Sequence, residues 1–104
     1  MQVTYADSNS IPELANLFDQ YRIFYEQETD IKGAIAFLNS RFKNKDSVIF
    51  IASENSGIVG FAQLYPSFSS VGMERIWILN DLFVSSNSRR QSIAKKLMEA
   101  ARKH

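Results

Sequence analysis

Ile76-Trp77-Ile78-Leu79-Asn80-Asp81-Leu82-Phe83-Val84, then Ser85-Ser86-Asn87-Ser88, then Arg89-Arg90-Gln91-Ser92-Ile93-Ala94-Lys95-Lys96-Leu97-Met98, reads as a long apolar strand, a short polar loop and a basic amphipathic helix. A unit of this kind presents backbone N–H groups at a helix start, where they bind an anion. The segment is therefore a candidate phosphate-binding element, and the chain ends at His104 within the same helix.

Upstream, Ser47–Ser53 is a strand rich in β-branched residues, Glu54-Asn55-Ser56-Gly57 a hairpin turn, and Ile58–Tyr65 the returning strand, expected to end at Pro66. Ser67–Gly72 reads as a connection into a third strand over residues 73–84. Before this meander, Gln2–Ala6 alternates as a short strand. Ser10-Ile11-Pro12-Glu13 has the pattern of a helix start, with Ser10 as cap and Glu13 closing a capping box. Ile11, Leu14, Ala15, Phe18, Tyr21 and Tyr25 then recur at helical spacing. Asp30 is placed to cap a second helix with Ile31, Ala34, Ile35, Leu38 and Phe42 on one face. The expected order is β-α-α-β-β-β-α, an α+β domain with helices on both faces of the sheet. Ile93, Ala94, Leu97, Met98 and Ala101 would seat the last helix.

Composition narrows the chemistry. A chain of 104 residues is one domain at most. Eight Phe, four Tyr and Trp77 argue for a packed core, with Trp77 and Phe83 placed in it. The net charge of +1 implies neither tight nucleic-acid binding nor a strongly acidic partner. Without Cys, disulfides, thiolate metal sites and a Cys nucleophile are excluded, and with His104 as the sole His no His-based metal site or Ser-His triad is expected. The N-terminus lacks a signal-peptide pattern, and no apolar run approaches the roughly 20 residues of a membrane span, so a cytoplasmic protein is expected.

The element order and residues 79–98 resemble the GNAT superfamily of acyl-CoA-dependent N-acetyltransferases. That family's signature after its fourth strand is Gln or Arg, two free positions, Gly, one free position, then Gly or Ala. Here the register falls on Arg89, Arg90, Gln91, Ser92, Ile93 and Ala94. Ser92 stands where the family usually has Gly, and Ser86 where Pro is common. Read from its residues alone, the stretch is equally a plain capped helix, with Ser88 as cap and Gln91 closing the box.

The resemblance implies a mixed, mainly antiparallel sheet and acetyl-CoA as co-substrate, with no metal. It places the coenzyme diphosphate on the amides of Arg89 to Ala94, helped by Lys95, and the pantetheine arm along Leu82, Phe83 and Val84. It places a strand carboxylate as proton acceptor for the attacking amine. Asn80 holds the position often taken by Glu and cannot act as a base, while its neighbour Asp81 faces the opposite way unless a bulge intervenes. Tyr25 and Glu26, with Glu28, would line the acceptor site for a primary amine on a small molecule or a lysine side chain.

The full fold implied by the resemblance continues with a fifth strand, a helix and a hairpin, so residues 1–104 are expected to be a single partial domain. An uncovered edge on strand 73–84 would then favour self-association, as in a homodimer. Two rival readings are a non-catalytic CoA-binding or interaction module of the same fold, and nucleic-acid binding through the basic helix, which is not favoured because no aromatics are interleaved with the charges.

Overall fold

Val48–Glu54 (β2) and Gly57–Ser69 (β3) form the hairpin at the centre of the sheet. Gly57 takes φ +116°, a conformation open to glycine at little steric cost. The computed structural model describes every residue except Arg89 and Arg90, and the side chain of Gln91. Gln2–Tyr5 (β1) pairs with β2, and Glu74–Val84 (β4) pairs with β3, giving the order β1-β2-β3-β4 with all three pairings antiparallel.

Ile11–Phe24 (α1) and Ile31–Asn44 (α2) cover one face. Ile11, Leu14, Ala15, Leu17 and Phe18 of α1, with Ala34 and Leu38 of α2, pack on Ile49, Ile51, Phe61 and Phe83. Gln91–Lys103 (α3) covers the opposite face, where Ile93 and Leu97 meet Phe50, Ala52, Val59, Ala62, Leu64 and Val84. Burying each large side chain of this kind stabilises by roughly 1.5–3 kcal/mol. Gly60 permits the close approach of α3, since a Cβ there would lie 3.2 Å from Leu97 Cδ1 and 3.1 Å from the Phe83 carbonyl oxygen. The expected α+β order and the two covered faces are both present.

Three local expectations are corrected. Pro66 does not end β3, which runs to Ser69, because β2 pairs no further than Leu64 and Pro66 sits where β3 has β4 as its strand neighbour. The connection to β4 shrinks to a turn over residues 70–73. The capping box belongs to Asp7 rather than Ser10, since a 3₁₀ turn over Ser8–Ser10 precedes α1. Ser10 makes no side-chain cap, and Glu13 instead accepts from the Ile58 N–H at 2.7 Å, tying α1 to the β2–β3 turn. Of the residues expected to seat α3, Met98 stays 40% exposed.

Candidate functional site at the bulge of β4

The register of β3 against β4 shifts by one residue. Gln63 pairs with Asp81 but Leu64 pairs with Leu79, which leaves Asn80 as the extra residue of a β-bulge. Asp81 lies two residues from Phe83 in unbroken register and shares the α1 face with Gln63, Ile49 and Phe61, while the bulged Asn80 donates from Nδ2 to Asp81 Oδ1 at 3.1 Å. The two residues that strict alternation would separate are brought together.

Helix α1 supplies the third member. Tyr21 lies three residues after Phe18 and four before Tyr25, on one helical face. Its hydroxyl donates to Asp81 Oδ1 at 2.8 Å. Its ring packs against Phe61 at 5.4 Å, Phe83 at 5.5 Å and Tyr25 at 5.2 Å between centroids. Burial, then the hydrogen bond to Asp81 and its charge, push the Tyr21 hydroxyl well above the ordinary value for tyrosine, so it stays a neutral donor at any physiological pH. Beside this pair, Gln63 Nε2 donates to the Tyr65 hydroxyl, while Gln63 Oε1 is buried without a hydrogen-bond partner among the described residues. Tyr65 is also shifted upward, by burial first, with the Gln63 hydrogen bond opposing and the Asp81 charge adding to the rise.

The segment joining α1 to α2 is held from beneath. Asp19 is 3% exposed and accepts from Thr29 Oγ1 at 2.6 Å and from the Asp30 N–H at 2.7 Å. Those two hydrogen bonds, the Thr29 one first, keep its carboxyl below the usual range, with Arg22 at 3.8 Å adding to the effect. Arg22 also donates to the Glu28 carbonyl at 3.0 Å. This frame fixes the turn that carries Tyr25, 61% exposed, and Glu26, which adopts φ 64°.

The expected coenzyme residues divide. Leu82 and Val84 face α3, and Phe83 faces α1. Ile93 is a core residue, 2% exposed. Ser92, Ala94, Lys95 and Met98 line an open depression of about 580 Å³ on α3. Arg89, Arg90 and the Gln91 side chain lie outside the described residues. Among the described residues no group of three or more His, Asp or Glu is placed to hold a metal, and no helix is long and apolar enough to cross a membrane.

Reading the residues did not single out Asp19 or Gln63. A signal existed for each: a carboxylate four residues after Ala15 on a core-facing helix, and an amide inside the apolar run Val59–Leu64.

Solved structures of similar fold include ones described as acetyltransferases. One described as a probable acetyltransferase superposes with a TM-score of 0.93 at 39% identity, over 99% of this chain and 70% of that one. A predicted acetyltransferase from Clostridium acetobutylicum, solved with acetyl-CoA, shares the fold at a TM-score of 0.76 and 20% identity, over 95% and 69% of the two chains. An uncharacterized N-acetyltransferase of Bacillus subtilis (strain 168), YhfO, is 49% identical over 102 residues, covering 98% of this chain and 68% of the relative. The description "Acetyltransferase (GNAT) family" matches residues 11–104. The chain belongs to the GNAT family of acetyltransferases.

Proposed function

We propose that this protein transfers an acetyl group from acetyl-CoA to a primary amine on a small molecule or a lysine side chain, by direct attack and without a covalent enzyme intermediate, and that residues 1–104 are part of a single acetyltransferase domain. The observation that carries the reading is the Asp81 carboxylate, on the α1 face beside the bulge and held there by Tyr21 and Asn80. In this reading Asp81 takes the proton that the ammonium must lose, while Asn80, which has no basic group, orients it. A carboxylate already held by two donors loses little rotamer freedom on meeting the amine, which favours attack geometry.

Acetyl-CoA would supply an acyl thioester reactive toward amines. The chain offers features that fit it. Ser92 and Lys95 lie exposed beside the depression in the first turns of α3, with a hydroxyl donor and a cation suited to a diphosphate. Leu82, Phe83 and Val84 close β4, which lies at the edge of the described sheet, where an extended amide-bearing arm would run alongside. Tyr25 and Glu26 stand at the acceptor end. The solved relative from Clostridium acetobutylicum that holds acetyl-CoA supports the choice of donor. The β4 edge, with Ile78 and Leu79 exposed beside it, is also where a second copy would add.

The test is thiol release from acetyl-CoA in the presence of a panel of primary amines. Amine-dependent release is expected. Asp81→Asn should lower kcat/KM by about 10²–10⁴, with the loss greatest at low pH where the amine is most protonated. Lys95→Glu should weaken acetyl-CoA binding in calorimetry and leave the amine KM unchanged. Wild-type protein that binds no acetyl-CoA would overturn the reading and favour a non-catalytic module.

A further inference from the structure

The surroundings of Asp81 restrict which amine fits. Its recorded donors, Tyr21 and Asn80, are both neutral. Among the described residues the cations that pair with carboxylates do so elsewhere, Arg22 with Asp19 at 3.8 Å and Arg41 with Asp46 at 3.2 Å. The Asp81 carboxylate is partly exposed and makes no ion pair among the described residues.

The walls around that charge are aromatic. Tyr21 spans from Asp81 to Tyr25, and Phe61 and Phe83 back it. Tyr25, at 61% exposure, offers an apolar surface beside the Asp81–Tyr21 pair. A carboxylate with aromatic side chains beside it is a chemistry that recognises an organic ammonium, through the ion pair and contact with an apolar body. The same end of α1 suits a second carboxylate poorly. Glu26 and Glu28 are exposed on the turn just beyond Tyr25, and Arg22 is engaged with Asp19 and the Glu28 carbonyl.

Building on the proposed acetyl transfer, we propose that the acceptor is a primary amine with an aromatic or extended apolar body and no carboxylate of its own, its ammonium on Asp81 and its body against Tyr25 and Tyr21. Tyr25 is then a specificity-determining residue, and Tyr21 a positioning residue that holds Asp81.

The experiment is ligand-observed NMR and calorimetry on the protein with three probes: phenethylamine, ethylamine and phenylalanine. Phenethylamine is expected to bind about tenfold tighter than each of the others, an advantage of about 1.4 kcal/mol. Tyr25→Ala should erase the preference of phenethylamine over ethylamine. Asp81→Asn, with an unaltered circular-dichroism spectrum, should abolish binding of both. Phenylalanine binding as tightly as phenethylamine would overturn the inference, as would a preference that survives in Tyr25→Ala or an absence of all amine binding. If the binding pattern holds while no amine is acetylated, the proposed transfer fails and the recognition stands.

Discussion

The two faces of the sheet are built from different materials. Beneath α3 the buried residues are all apolar: Phe50, Ala52, Val59, Ala62, Leu64, Val84, Ile93 and Leu97. Beneath α1 and α2 the apolar layer is interrupted by Asp19 and Gln63, both almost fully buried, with Asp81 and Tyr21 at its margin. A polar group taken out of water costs free energy unless it is paired. The α1 face therefore sacrifices some stability to hold polar groups in fixed positions, and the α3 face compensates by packing alone.

The largest effect that would test this division comes from Leu97, which is fully buried beneath α3. Leu97→Ala should destabilise by about 2–5 kcal/mol in denaturant unfolding. Discrimination among amines should not change, and a shift comparable to that of a Tyr25 variant would break the comparison.

A smaller loss is expected from Asp19→Ala, about 1–3 kcal/mol at neutral pH, since Thr29 Oγ1 and the Asp30 N–H lose their acceptor. The Asp19 carboxyl is held below its ordinary value of 3.8, so its contribution is present above that pH and disappears as pH falls through the lower folded value. Wild-type and variant stabilities should converge in acid. A gap that stays constant with pH would mean that the carboxylate charge plays no part.

Tyr21→Phe should cost the least, about 0.5–1.5 kcal/mol for one hydrogen bond. The Tyr21 hydroxyl is raised above its ordinary value of 10.0, so its contribution is full below that pH and fades as pH climbs through the folded value. The difference from wild type should close in strong alkali. In the acetyl-transfer assay the same variant should lower kcat more than it changes the amine KM, because Asp81 keeps its charge but loses a restraint.

Periodicity revealed most of the fold. The apolar positions of α1 and α2, the β2–β3 hairpin and the seating of α3 through Ile93 and Leu97 all follow from spacing. What spacing hid were features decided by partners distant in sequence. Pro66 suggested a strand end, yet whether it is tolerated depends on where β2 begins, 18 residues earlier at Val48. Asn80 and Asp81 were legible as candidates, and the need for a bulge to unite them was legible too, but its presence depends on registry with β3. The Tyr21–Asp81 contact spans 60 residues, and no local pattern encodes it.

The extra residue at Asn80 has a further effect on how this strand tolerates change. Trp77 and Leu79 point to the same side as Leu82 and Val84, so odd-numbered positions above the kink and even-numbered ones below it share a face. The strand is effectively two half-strands in opposite phase. Loss of the Asn80 codon would return the strand to plain alternation, with every pairing to β3 and both surfaces kept, and would remove only the amide that reaches Asp81. A codon gained in either half would instead put neighbouring residues on the wrong surface, so shortening at this point should be tolerated better than lengthening beside it.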